Sequence, residues 1–368
     1  MRISIRKAWL VKMNEYDLSA NIWEELLPEF EFTDRLIHNL LPDNNIDTMD
    51  MVNDVLKGNW VLEPGIFFKY IKNVVSEYLF TWKNLFVSIF VLFIAAAIVN
   101  TFMSAFKNNG AAKAAGIFFL LCQMLVLINA YNEMQDIMTN AINEMVDFLK
   151  IMLPAYMICV ASTGYGMSAM IFYKLLLGFL CLLENVILAS LVPIVEGYML
   201  LGLAESIWNE ERLRPLTDTI YKSIQGILKI SIMIFSVSSI LQVIVTPVID
   251  KANIAFVEKT AGAIPAIGDI AESVSNVMLI SATAIKNSVG VVILVLLILM
   301  MAVPIINIAI IWGTIKISSV LGAICGEKSM TKCSEYISNA GYLLIRILVT
   351  VTSLFFVSIA AIINSTGI

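Results

Sequence analysis

Four acidic residues interrupt stretches of this sequence that are otherwise apolar: Glu184, Glu196, Asp269 and Glu272. Ionisable side chains at bilayer depth cost free energy, and they mark ion pathways or polar contacts between helices. Glu184 and Glu196 lie on either side of the middle of the apolar segment 175–204. Two interpretations stay open for this pair: the lining of a polar conduit or helix contact, and neutral carboxyl groups hydrogen-bonded inside a helix bundle.

Asp269 and Glu272 are three residues apart and therefore share one helix face. Pro265 suits the first position of a helix, which puts both acids in or near the first turns. The helix dipole and interfacial water stabilise a carboxylate there. The sequence favours a structural role for these two acids.

The chemistry of enzymes, metal sites and nucleic-acid binding has little support in this sequence. The five cysteines stand singly and the one histidine, His38, has no cysteine nearby, so we expect no metal or cofactor. Residues 326–329 read Gly-Glu-Lys-Ser but lack the opening glycine of a phosphate loop. No hydrolase or dinucleotide motif is present, and a net charge of −5 offers no basic surface for nucleic acid. We therefore predict a protein that is not an enzyme and has no nucleic-acid partner.

The composition predicts a membrane lipid environment for most of the chain. The 368 residues are 59% hydrophobic and only 14% charged, with a mean hydropathy of +0.85, which is unusual for a soluble domain. Residues 1–83 hold 9 of the 24 Lys and Arg and 13 of the 29 Asp and Glu. We interpret this part as a helical, acidic extramembrane arm, although no signal peptide that would export it is visible.

Apolar segments long enough to cross a bilayer follow the arm. They are 84–106, 114–132, 151–173, 175–204, 230–249, 261–285, 287–315 and 347–368. The predicted fold is an all-α, polytopic transmembrane helix bundle with about six to eight spans. Its predicted parts are the arm at 1–83, a two-helix transmembrane hairpin and loop at 84–149, repeat unit 1 at 150–249 and repeat unit 2 at 250–368.

An internal repeat is suggested by residues that recur after 111 positions. The pairs, which we interpret as hinge or packing positions, are Pro154 with Pro265, Pro193 with Pro304, and Gly202 with Gly313. Each unit holds three apolar segments, so the second unit enters the membrane from the opposite side, as in the inverted repeats of secondary transporters.

The loop charges predict which side of the membrane each loop occupies. Lys and Arg prefer cytoplasmic loops. With the arm outside, the inner loops are 107–113, 174, 250–260 and 316–335, which hold eight Lys and four acids. The loop 133–150 and the segment 205–229 lie outside in this interpretation. The basic residues Arg212 and Arg214 are unfavourable for an outer position of 205–229.

Short motifs along most of the chain resemble the stage III sporulation protein AE family of endospore-forming bacteria. They are Trp-Glu-Glu-Leu-Leu-Pro-Glu-Phe at 23–30, Ile-Pro-Ala-Ile-Gly-Asp at 264–269, and Val-Pro-Ile at 192–194 and 303–305. The resemblance implies a multipass protein of the mother-cell membrane around the forespore, within a secretion-like channel or feeding tube that sustains late forespore gene expression. The partners implied are the other stage III A operon proteins, including a cytoplasmic ATPase and ring-forming components, and a forespore docking protein across the intermembrane space.

Two other functions stay open beside this channel role. An ion-coupled secondary transporter would use the inverted repeat and the glutamates Glu184 and Glu196. A non-conducting membrane scaffold would use the same helices only to hold partners.

Overall fold

The computed structural model describes residues 33–35, 37–38, 47–59, 64–105, 109–163, 174, 178, 183–208, 212–234, 237, 268–324 and 326–365. Within these ranges the regular structure is helical and contains no strand, which confirms the all-α prediction for this part of the chain. The helices are α1 Thr48–Leu56, α2 Pro64–Ala105, α3 Asn109–Ser162, a π-helical segment Leu183–Leu191 that continues as α4 Val192–Trp208, α5 at residues 214–234, α6 Gly268–Ile324 and α7 Lys328–Ser365.

Five helical stretches in the described ranges are long and apolar enough to cross a membrane, fewer than the six to eight predicted. They are Gly65–Phe102, Ala114–Ser162, Ile187–Ile207, Thr283–Ile324 and Lys328–Ala361. Their outward faces carry exposed apolar side chains such as Phe80, Phe90, Leu125 and Ile324, as lipid contact requires. The chain is thus a multipass membrane protein.

The expected loop at 133–150 is wrong, because these residues continue helix α3. Met138, Ile142 and Met145 are buried on one side of this stretch, while the acids of the stretch lie mainly on the other side, so the helix packs without breaking. With 54 residues, α3 is about 81 Å long, against a hydrocarbon core of about 30 Å. Helix α6 likewise runs without a break from residue 268 through the end of the predicted span 261–285 and through the whole of the next one, 287–315.

The predicted boundaries at 83/84 and 149/150 both fall inside continuous helices, α2 and α3. The division into an arm and two units stays a prediction. In the described part of the arm, Ile37, Met51 and Val52 are buried in the main core, and α1 packs against α6. The Asp34 carboxylate accepts a hydrogen bond from the backbone N–H of Thr48, the first residue of α1, at 2.6 Å. These residues therefore pack onto the bundle.

Contacts between α3 and α7 show that these helices run in the same direction. Near their beginnings, Gln123 Nε2 donates to Ser334 Oγ at 2.7 Å. Further along both helices, Gly341 packs against Met134. The residue numbers of α3 and α7 therefore increase in the same direction along the bundle.

Helix α6 runs the opposite way, because α6 and α7 form a hairpin. The Trp312 ring of α6 lies tilted against the Tyr342 ring of α7 with centroids 5.9 Å apart, and Lys286 donates to the Ile363 carbonyl at 3.2 Å. Gly326, with a φ of 81°, makes the turn between the helices, since glycine adopts positive φ without strain. The Gly-Glu-Lys-Ser motif thus contains a hairpin turn and the start of α7.

Helix α2 runs alongside α6, as two separate contacts show. The indole Nε1 of Trp82 donates to Asn307 Oδ1 at 2.7 Å. Phe93 packs against Gly322 further along both helices. Helices α2 and α6 therefore reach the same end of the bundle.

Helices α4 and α5 form a second hairpin with the same orientation. In α4, Glu196 meets Gln135 of α3 and Glu205 meets Tyr336 of α7, so α4 runs against both α3 and α7. In α5, Thr217 interacts with Tyr336 and Tyr221 interacts with Tyr342, so α5 runs with α7. The helix pairs α2–α3, α4–α5 and α6–α7 therefore connect at one end of the bundle, which we call the turn end.

These directions correct two expectations. The repeat aligns α4 with the second half of α6 and α5 with α7, and both pairs are parallel. An inverted repeat requires opposite directions, so inversion is wrong for these helices, while the repeat itself stays a prediction. The outer placement of 205–229 is also wrong with respect to the predicted inner loops, because the α4–α5 connection lies at the same end as the α2–α3 and α6–α7 connections.

Two glycines of the proposed repeat have different surroundings. A Cβ on Gly202 would overlap the Cβ and Cγ of Tyr336, whereas nothing lies within 4 Å of a Cβ on Gly313. Gly202 therefore permits the close approach of α4 to α7.

The turn end should face the cytoplasm, because its connections and the helix turns beside them carry seven Lys and Arg residues. They are Lys107, Lys113, Arg212, Arg214, Lys316, Lys328 and Lys332. A reporter inserted after Arg212 should give a cytoplasmic signal, as should one inserted after Gly326. An extracytoplasmic signal at Arg212 with a cytoplasmic one at Gly326 would contradict the shared turn end.

Replacing Gly202 with Ala should destabilise the fold by about 1–3 kcal/mol, because the added methyl group forces Tyr336 away from α4. The measurement is the thermal unfolding midpoint of the purified chain in detergent. Gly313→Ala is the matched control and should leave stability unchanged or raise it by up to about 1 kcal/mol through helix propensity. Equal effects of the two changes would argue against the packing described.

Candidate functional site

Polar side chains form hydrogen bonds between different helices throughout the apolar bundle. The pairs are Trp82–Asn307, Asn100–Glu327, Gln123–Ser334, Gln135–Glu196, Tyr336–Glu205 and Lys286 with the Ile363 carbonyl. In a membrane protein such contacts fix which helices pack together and in which register. Two of the pairs, Gln135–Glu196 and Tyr336–Glu205, contain acids of α4.

Glu196 lies near the middle of the candidate span Ile187–Ile207. Its Oε1 accepts a hydrogen bond from Gln135 Nε2 at 2.6 Å, which joins α4 to α3. The carboxyl group is therefore held by a neutral donor. This geometry fits both earlier interpretations, because the hydrogen bond is a helix contact and the oxygen of either a charged or a neutral carboxyl group accepts it.

The proposed repeat aligns Glu196 with Asn307. Asn307 is 8% exposed, and its Oδ1 accepts the hydrogen bond from Trp82. Both positions thus join their own helix to a neighbouring one.

Glu205 is a second acid of α4 that the sequence did not indicate. Its residue is 2% exposed, and its Oε2 accepts the Tyr336 hydroxyl at 2.7 Å. Glu205 directly follows the apolar segment 175–204, so hydropathy assigned it to a loop. Its spacing of three residues from Gly202 is the signal that it shares the α7-facing side of α4.

Tyrosine rings surround this contact and bring α4, α5 and α7 together. The Tyr198 ring lies 5.6 Å from that of Tyr221 and 6.0 Å from that of Tyr336, measured between centroids. Burial, together with the nearby Tyr342, raises the pKa of Tyr221, so its hydroxyl stays neutral. The rings provide apolar packing with polar edges.

The other acids that the sequence predicted as site residues belong to different helical segments. Glu184 belongs to the π-helical segment Leu183–Leu191, and such segments are frequent at functional sites. Asp269 and Glu272 lie at the start of α6. The positions of their side chains are outside the described part.

The prolines mark helix starts and interiors. Pro193 is the second residue of α4, and Pro154 and Pro304 lie inside α3 and α6. Pro265 lies outside the described residues. Each internal proline removes one backbone hydrogen bond, which neighbouring helices make tolerable in membranes.

The chemistry available in the described ranges is that of hydrogen bonding and of proton or cation acceptance. No group of three or more His, Cys, Asp or Glu there is arranged to hold a metal ion. The cysteines described, Cys122, Cys159 and Cys333, are free thiols. These residues therefore offer polar contacts within a helix bundle.

Comparison with known proteins identifies the family. The model of the stage III sporulation protein AE family matches residues 46–366. The stage III sporulation protein AE of Bacillus subtilis (strain 168) is 21% identical over 356 residues, covering 95% of this chain and 86% of that protein. No solved structure matches the chain. A match to the family over most of its length, in a chain that folds as a multipass helix bundle, means that this protein belongs to the stage III sporulation protein AE family.

Proposed function

We propose that this chain is the membrane component of a secretion-like channel that links the mother cell to the forespore. In this role it lies in the mother-cell membrane around the forespore and sustains late forespore gene expression. The observation that carries the proposal is the family match over residues 46–366. The five candidate spans support it, because a transenvelope complex needs a multipass membrane part.

The packing of the bundle supports a rigid channel component better than a loosely associated set of spans. Hydrogen bonds join α2 to α6, α3 to α4 and α4 to α7. Each contact resists sliding of one helix along another, since a one-residue shift would leave buried polar groups unpaired. Such a bundle would give soluble partners a fixed surface on each side of the membrane.

The two ends of the bundle suggest where the partners bind. A cytoplasmic ATPase would meet the basic turn end, which the positive-inside rule assigns to the cytoplasm. The ring-forming components and the forespore docking protein would meet the opposite end, which includes the exposed acids of α3 at Glu144 and Asp147. These partners belong to the same stage III A operon, apart from the docking protein.

Deleting the gene in its spore-forming host should block spore development after engulfment and leave vegetative growth normal. The measurement is a reporter of late forespore transcription together with a count of heat-resistant spores. Supplying the intact gene or the Gly313→Ala variant should restore both readouts. Normal sporulation in the deletion strain would end the channel proposal.

A photo-crosslinking residue at Arg212, in the α4–α5 turn, should capture the operon's ATPase in sporulating cells. The same residue at Asn140, an exposed position of α3, is the matched control and should not. Arg212 lies at the turn end, whereas Asn140 lies in the half of α3 that leads away from it. Capture of the ATPase from Asn140 alone would reverse the proposed orientation.

Two alternatives keep some support. Glu196, bonded to Gln135 within an apolar span, favours an ion-coupled secondary transporter, although the parallel hairpins remove the inverted repeat from that argument. The same interhelical hydrogen bonds suit a non-conducting scaffold. Ion-driven uptake by proteoliposomes is the property that distinguishes a transporter from both other roles.

A further inference from the structure

Helices α2 and α3 each carry an exposed stripe of four residues with the same spacing along the helix. The residues are Lys72, Ser76, Leu79 and Lys83 on α2, and Asp136, Asn140, Asn143 and Asp147 on α3. Residues separated by four, seven and eleven positions share one face of a helix. All eight side chains are exposed in the single chain, so the two stripes do not cover each other.

The charges at the ends of the two stripes are opposite in sign and equally spaced. Lys72 and Lys83 are eleven residues apart, as are Asp136 and Asp147, which corresponds to about 16.5 Å along a helix. Lys150 lies 3.7 Å from Asp147 and offsets part of its charge. The α3 face stays acidic, because the exposed charged residues of 133–150 are four acids and this one lysine.

Contacts with α6 show which parts of α2 and α3 lie at the same distance from the turn end. Trp82 of α2 is level with Asn307, to which its indole donates. A Cβ on Gly290 would lie 2.8 Å from the Tyr156 hydroxyl oxygen, so Gly290 is level with Tyr156 of α3. Gly290 precedes Asn307 by 17 residues. Because α3 and α6 run in opposite directions, Trp82 is level with about Thr139 of α3.

The charged residues of the two stripes therefore lie at matching heights. Lys83 follows Trp82 directly and is level with α3 within one helical turn of Asp136. Lys72 precedes Trp82 by ten residues and is likewise level with α3 within one turn of Asp147. Each lysine thus has an aspartate of the other stripe at its own height.

Both stripes continue toward the turn end as exposed apolar side chains. Ile94 lies eleven residues after Lys83 on α2, and Leu125 lies eleven residues before Asp136 on α3. Ile94 is 38% exposed and Leu125 is 67% exposed. The two helices therefore present charged residues opposite charged residues and apolar residues opposite apolar residues.

We propose that a second copy of this chain docks on these stripes, with α2 of one copy against α3 of the next. Copies related by a rotation about the membrane normal keep their heights, so the two helices meet antiparallel. Lys83 of one copy then faces Asp136 of the next, and Lys72 faces Asp147. Such charge complementarity fixes the register and orientation of the contact, while the apolar parts pack by van der Waals contact.

The charges also oppose a twofold contact between identical stripes. Pairing α3 with α3 about an axis along the membrane normal would place Asp136 against the same aspartate of the other copy, and like charges repel. A contact between two different faces repeats from copy to copy and closes into a ring where the rotation permits. This assembly goes beyond the channel role, and its tests do not depend on sporulation.

The first test is the mass of the full-length chain in detergent at low ionic strength, measured by light scattering during gel filtration. The chain should form an oligomer, and changing both Lys72 and Lys83 to Glu should reduce it to a single chain, because like charges then face each other. Adding Asp136→Lys and Asp147→Lys reverses both faces and should restore the oligomer. Glu77→Lys, an equally large charge change on another side of α2, is the matched control and should leave the mass unchanged.

The second test places a photo-crosslinking residue at Asn140 of the chain in its native membrane. Mass spectrometry of the linked peptides should identify residues 72–83 of a second copy, and the double Lys→Glu change should remove this product. The thermal unfolding midpoints of the variants should stay unchanged, because the altered side chains are exposed.

Several outcomes would overturn the proposal. They are a single chain in detergent together with no crosslink to α2 of a second copy, a crosslink to α3 of a second copy in its place, and an oligomer that survives the double Lys→Glu change. Failure of the fourfold charge reversal to restore the oligomer in a variant with an unchanged unfolding midpoint would also overturn it.

Discussion

Long polar side chains within the apolar bundle find partners on neighbouring helices, and this constraint organises the rest of the structure. Lipid tails offer no hydrogen bonds, so a buried Asn, Gln or Glu is stabilised only where a donor or acceptor faces it. The pairs Trp82–Asn307, Gln135–Glu196 and Tyr336–Glu205 meet this requirement across different helices. Because each pair forms in one register only, the polar contacts select one packing among many that apolar surfaces alone would allow.

This packing explains why the helices exceed the thickness of a bilayer. Helix α3 stays continuous through 133–150 because its apolar side is covered by neighbouring helices while its acids remain exposed. A helix of this kind crosses the hydrocarbon core and continues beyond it without a break. The same property gives the bundle a helical part that extends beyond the hydrocarbon core.

Membership of the stage III sporulation protein AE family implies a role in sporulation, and the five candidate spans make the chain a multipass membrane protein. The hairpins α4–α5 and α6–α7 have the same orientation, which differs from the opposed halves of inverted-repeat transporters. Contacts such as Gly202 with Tyr336 hold the first hairpin on α7.

Composition and hydropathy by themselves determined the membrane environment, the helical class and most of the spans, because about 20 apolar residues in succession have few other stable structures. Sequence motifs also indicated the family. Tertiary structure alone decided that 133–150 is helix, that α4 is parallel to α6, and that Glu205 is buried. These features depend on which residues meet across helices, and hydropathy along one chain contains no information about neighbours distant in sequence. Glu196 was visible as an anomaly in an apolar run, but its partner Gln135 lies on another helix and became apparent only after packing.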